Sequence, residues 1–211
     1  MFLVPHQTLA FLLAAVAITA APGPDNLMVL GTGMSSGRRR GMVFGFGCAL
    51  GCITHTVLAT LGIGALVAAS PVAFTVLKIC GGMYLIWLGI QALRQRKVGE
   101  IHAASGAAKA LPLKTLFVRG LLANSVNPKV ILFFLSFLPQ FVLLDRGGAS
   151  WQMAQLGLLF TAQAAVLFGL LGYFSGAIGQ WLQRSPRAGL WMDRLTGCIF
   201  VGLGARIMLS R

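Results

Sequence analysis

Apolar positions along this chain fall into long runs, without the two-residue alternation or narrow helical stripe of a half-buried element. Six runs stand out, at about residues 6 to 36, 41 to 69, 71 to 93, 113 to 144, 150 to 182 and 190 to 209. A membrane crossing needs about 20 apolar residues in a helix, and each run supplies them. The pattern predicts an all-α integral membrane protein with six transmembrane helices in one domain, 1–211. Leu9 to Ala21 resembles the core of a secretory signal, but no basic stretch precedes it and five crossings follow, so it is expected to stay.

The first and fourth runs are too long for one crossing, and both are interrupted near the middle. The interruptions are Pro22-Gly23-Pro24-Asp25-Asn26 and Asn124-Ser125-Val126-Asn127-Pro128-Lys129. Proline removes a helix donor and clashes with the preceding turn, which frees carbonyls at that depth. Bare backbone in hydrocarbon costs several kcal/mol per group, so Pro22, Gly23, Pro24 and Pro128 are tolerable only where the break is buried in protein or lines a wet cavity. Ordinary proline kinks in a channel or scaffold would need nothing more, yet each break also carries asparagine and one ionisable residue. Paired broken helices of this kind mark a transporter site near the bilayer midplane.

Composition agrees with the membrane assignment: 57% of residues are hydrophobic and 10% charged, against about 25% charged in soluble domains. The net charge of +13, from 17 basic and 4 acidic residues, would suggest nucleic acid as partner in a soluble chain. Here the basic residues lie between apolar runs, so they report orientation and contact with anionic lipid instead. Arg38, Arg39 and Arg40, then Arg94, Arg96, Lys97, Lys109 and Lys114, then Arg184, Arg187 and Arg194 crowd alternate connections, while the other two hold only Arg146. The basic connections are therefore expected in the cytoplasm with both termini outside. Residues 1–93 and 113–211 then form two inverted three-helix repeats joined by a cytoplasmic basic loop, 94–112. Gly82, Leu88 and Gly89 recur 115 positions later as Gly197, Leu203 and Gly204, in keeping with that repeat.

Asp25 is the one acid placed within the bilayer, where a charge costs about 2.5 to 3.5 kcal/mol on an insertion scale. It could cap a half-helix starting at Asn26, or bind a substrate ammonium or a coupling proton. Lys129, too deep to reach an interface, could pair with Asp25 or meet a substrate carboxylate together with half-helix amides. His55, midway along the second run, suits a proton relay with Asp25 or a hydrogen bond to a carbonyl freed by a break. Asn26, Asn124 and Asn127 add neutral hydrogen-bonding groups. Arg119 and Lys78 lie close enough to the interfaces to serve as anchors. Cys48, Cys52, Cys80 and Cys198 lack metal or redox spacing. Gly41, Gly45, Gly47, Gly51, Gly172 and Gly176 suit close helix packing. No zinc-protease helix or serine-hydrolase elbow is present, so an enzyme, a cofactor and a bound metal are not expected.

Five motifs, in order and nearly spanning the chain, resemble the LysE/RhtB family of amino-acid exporters, nearer its homoserine, threonine and leucine branch. They are Ala21 to Asn26, Ser36 to Gly41, Gly82 to Gly89, Arg119-Gly120 through Asn124 to Lys129, and Leu138-Pro139-Gln140-Phe141. The resemblance implies a bacterial inner-membrane efflux protein that exchanges amino acids for protons, with a homodimer as one assembly it allows. The family tolerates substitution just after Pro-Gly-Pro, so Asp25 need not be a shared group. The combined expectation is an exporter of a neutral amino acid, threonine, homoserine or a small aliphatic one. Asp25 would face the ammonium, Lys129 the carboxylate, and Asp25 with His55 would couple protons. One charge crossing about 100 mV gains about 2.3 kcal/mol, enough for a gradient of about 50-fold. The alternatives are an exporter of basic amino acids, a cation or metal-ion transporter of related architecture, and a membrane redox protein working through Cys48 and Cys52.

Overall fold

The computed structural model describes residues 5–94, 111–143 and 148–209. All regular structure among them is helical: α1 (Pro5–Ala20), α2 (Pro24–Ser36), α3 (Arg38–Ala69), α4 (Pro71–Arg94), α5 (Leu113–Ser125), α6 (Pro128–Leu132), α7 (Ala149–Tyr173), α8 (Ser175–Arg184) and α9 (Pro186–Leu209). α6 runs on through a π-helical turn, Phe133–Phe137, and a 3₁₀ turn, Leu138–Phe141. Most of the expected basic loop, with Arg96, Lys97 and Lys109, lies outside the described residues, as does Arg146. Among the described residues, Arg38–Gly62 and Ala149–Tyr173 are long and apolar enough to cross a membrane. Up to four spans result if each of two bent pairs is one span.

The bent pairs are the two interrupted runs. α1 and α2 meet at 56°, and α5 and the segment Pro128–Phe141 at 49°. Proline occupies the first turn of both second halves, where its missing N–H is one of the helix's unpaired donors anyway. α2 thus starts at Pro24, ahead of the expected Asn26, with extended Gly23 in the cap position, so Asp25 sits inside the first turn and is not the cap. The fifth run also departs from expectation: α7 stops at Tyr173, and a separate α8 follows with Gln180 and Arg184 exposed. The Ser175 hydroxyl donates to the Gly172 carbonyl at 2.8 Å, and α2 presses so closely here that a Cβ on Gly33 would collide with that hydroxyl.

α3 packs along α5 and α7, and α4 pairs with α9. Glycine makes both packings close. A Cβ on Gly45 would lie 2.7 Å from the Phe168 carbonyl, and Gly41 and Gly172 abut each other. In the α4–α9 pair the contacts are reciprocal. A Cβ on Gly89 would lie 2.7 Å from Gly197 O and one on Gly197 2.7 Å from Gly89 O, while Gly82 and Gly204 meet in the same way at 3.0 and 2.6 Å. Gly176, by contrast, faces open space and packs against nothing. Between α1, α3, α6 and α7 lies an aromatic core in which Phe133 is 4.9 Å from Phe137 and 5.2 Å from Phe160, ring centre to ring centre.

Candidate functional site

A helix that ends inside a protein leaves its last carbonyls without donors, and the partial negative charge collected there attracts a cation. At the end of α1 the donors are Lys129, from the other half of the chain, and Asn26, from the start of α2. Lys129 Nζ donates to Ile18 O at 3.2 Å and to Ala21 O at 3.0 Å, while Asn26 Nδ2 donates to Thr19 O at 2.9 Å. Gly23 makes room for this: a Cβ there would stand 2.7 Å from the Lys129 ammonium. At the second break Asn127 caps α6, its Oδ1 accepting from the Lys129 backbone N–H at 3.0 Å.

Asp25 is buried, with Oδ2 accepting from Asn124 Nδ2 at 2.7 Å. Its other oxygen, Oδ1, is buried without a hydrogen-bond partner. Asn124 is the hub of the second break: its Oδ1 accepts from Cys52 Sγ at 3.5 Å, and its carbonyl accepts from Asn127 N at 2.9 Å and His55 Nε2 at 3.0 Å. His55 therefore meets the expectation of a histidine bonded to a carbonyl freed by a break, and its ring rests 5.6 Å from that of Phe134. Asp25 and Lys129 do not pair with each other. They occupy matching places, each directly after the first-turn proline of its half-helix, and each reaches across to the last turn of the opposite broken helix.

Both side chains border a cavity between the breaks, lined also by Ile18, Thr19, Cys52, Asn124, Val130, Phe133, Phe160 and Phe168. It measures about 10 Å³ in space for the centre of a water-sized sphere, room for about one water molecule. A free amino acid is far larger, so admitting one requires the walls to part. Of the expected site residues, Asp25, Asn124 and Lys129 face this cavity, while Asn26 and Asn127 brace the breaks behind it, each with one buried amide atom unpartnered. Arg119 is exposed and Lys78 half-buried, in keeping with anchoring. Sequence reasoning missed Thr19, Cys52 and the three phenylalanines. It also missed Gln163, which donates from Nε2 to Thr19 Oγ1 at 2.9 Å. A glutamine beyond the middle of a long, largely apolar helix was the available signal. Among the described residues no group of three His, Cys, Asp or Glu could hold a metal ion.

The family model for LysE type translocators matches residues 16–211. An uncharacterized membrane protein of Vibrio cholerae is 37% identical over 208 residues, 98% of each chain. A leucine efflux protein of an Enterobacter species is 32% identical over 93% of this chain and 92% of its own. A homoserine/homoserine lactone efflux protein of Salmonella typhi is 30% identical over 96% of each. No solved structure matches the chain.

Proposed function

Because the chain belongs to the LysE-type translocator family, we propose that it is a secondary transporter of the bacterial inner membrane that exports neutral amino acids, threonine, homoserine or small aliphatic ones. The observation that carries this reading is the cavity between two helix breaks, with a buried, half-unpartnered carboxylate on its wall. Asp25 Oδ1 is an acceptor waiting for a cationic donor, and a substrate ammonium supplies one. Lys129, which also lines the cavity, turns from the α1 carbonyls to the substrate carboxylate, with Asn124 as a neutral partner and Asn26 and Asn127 holding the half-helix ends in place. A lysine or arginine side chain would bring a second cation beside Lys129, which disfavours basic substrates. The leucine and homoserine efflux relatives accord with a neutral solute.

Exchange with protons follows from the same carboxylate. Asp25 Oδ1 holds either a proton or an ammonium, and a bare buried charge is costly in both directions of the cycle, so loaded crossings dominate. His55, tied to Asp25 through Asn124, sets the position of that carboxylate and accepts protons arriving at the break. The architecture in this proposal is six spans in two inverted halves, 1–93 and 113–211, with basic connections in the cytoplasm and both termini outside. The reciprocal Gly82–Gly204 and Gly89–Gly197 contacts support it, because exchanging the matching positions turns one contact into the other.

The test is release of amino acids from cells loaded with dipeptides covering all twenty side chains, with and without the protein. Accelerated release of neutral amino acids is expected. Release of lysine alone would overturn the proposal.

A further inference from the structure

Buried Thr19 and half-buried Gln163 form a polar pair that the transport reading leaves unused. Gln163 belongs to the stretch of α7 that carries the cavity-lining Phe160 and Phe168, and its amide crosses to α1 to bond Thr19 Oγ1 at 2.9 Å. Thr56, Thr60 and Thr161 each return their hydroxyl to the carbonyl four residues earlier in their own helix. Among the described residues Thr19 makes no such bond. With its oxygen accepting from Gln163, its proton is left for the cavity it lines. The other end of the pair is open as well: Gln163 Oε1 is buried with no partner. A buried amide oxygen in that condition is costly, and a simple helix-to-helix bond does not require it.

We propose that Thr19, oriented by Gln163, is a subsite that reads a hydroxyl on the side chain of the transported amino acid, so that the chamber takes hydroxylated amino acids ahead of their aliphatic isosteres. Thr19 contacts the substrate, and Gln163 acts through it as a positioning residue. This inference rests on the proposed export of neutral amino acids and narrows it. An apolar pocket discriminates poorly between a hydroxyl and a methyl group, whereas a site built to hydrogen-bond a hydroxyl rejects the analogue without one, because its own polar groups are left unpaired.

Threonine and valine are the isosteric probes. Export of each is followed from cells loaded with its dipeptide, with the amount of protein in the membrane measured alongside. The native chain is expected to favour threonine by about 10-fold or more. Thr19→Val and Gln163→Leu should lower that ratio at least about fivefold, and Thr19→Ser should preserve it. Should Thr19→Val fail to reach the membrane, Gln163→Asn, which draws the amide back by one methylene, is expected to produce the same fall. A native ratio near one, or a ratio that survives Gln163→Leu and Gln163→Asn while export continues, overturns the subsite and leaves the transport reading standing. Absence of export for every neutral amino acid in the native chain overturns the transport reading itself.

Discussion

Replacing Asp25 by Asn removes one charge from the cavity wall and changes little else. The shape is the same, and the new side chain can still accept from Asn124 Nδ2, the donor that now lies 2.7 Å from Oδ2. The structural loss is confined to part of a charge-assisted bond and to the favourable meeting of a carboxylate with the first turn of α2, about 0.3 to 1 kcal/mol. It is offset by relief from burying a charge. Thermal unfolding in detergent should therefore shift little. Binding should change far more. A substrate ammonium about 3 Å from a carboxylate, at an effective dielectric of about 20, gains about 5 kcal/mol, and a neutral amide returns about 1. Desolvation reduces the difference, leaving about 1.5 to 4 kcal/mol, or an increase in KM of about 10- to 1,000-fold. The assay is uptake into everted vesicles, with KM for threonine measured in the presence and absence of a protonophore. Asp25→Asn should raise KM and abolish the response to the protonophore. A KM within about threefold of native, with the protonophore response intact, would reduce Asp25 to a structural partner of Asn124.

Gly23→Ala should drive the Lys129 ammonium off the Ile18 and Ala21 carbonyls, because the added Cβ stands 2.7 Å from it. The cost should be about 1 to 3 kcal/mol, and in a thermal double-mutant cycle with Lys129→Ala the two losses should fall short of additivity by about 1 kcal/mol or more. Gly89→Leu and Gly197→Leu should separate α4 from α9 and sharply reduce the folded yield, whereas Gly202→Ala, which faces open space, should leave unfolding unchanged or slightly raised; equal effects at all three positions would refute the packing argument. A membrane-impermeant thiol reagent should label Arg39→Cys and Arg184→Cys in everted vesicles, and Ser150→Cys in intact cells, each in a background without native cysteines. The reverse pattern would invert the proposed orientation.

What could be read from residues alone was what proline and long apolar runs enforce. The breaks at Pro22 to Pro24 and at Pro128 follow from missing donors and ring clashes, and the bent pairs lie where those rules put them. Less legible was anything that depends on backbone atoms as partners. Lys129 had two readings, an ion pair with Asp25 or a substrate contact, because carbonyls do not show in a sequence. In the structure its resting partners are Ile18 O and Ala21 O. Similarly, α7 gives way to α8 at Phe174 with neither proline nor glycine at the joint. The cue was the polar periodicity of residues 175 to 184, masked by the apolar average of the longer run. Gln163 was overlooked because an amide in a helix that also holds Gln152 and Gln155 carries meaning only when its partner on another helix is known.

These backbone partnerships bear on the proposed preference for a neutral solute. In the closed arrangement Lys129 compensates the negative end of α1 and Asp25 stands at the positive start of α2, so the two formal charges sum to zero and each has a helix end to face. A zwitterion entering between them adds no net charge. In the proposed site its ammonium would take Asp25 Oδ1, its carboxylate would take Lys129, and the α1 carbonyls released by Lys129 would become acceptors for the substrate's remaining N–H groups. A cationic amino acid would leave one uncompensated charge in the membrane interior, at about 2.5 to 3.5 kcal/mol even on the insertion scale, or about 70- to 350-fold in occupancy. Replacing Lys129 with a neutral residue should remove that penalty. In Lys129→Gln, export of the zwitterion should fall while the ratio of lysine to threonine export rises at least about 10-fold. An unchanged ratio would mean that Lys129 does no more than close the end of α1.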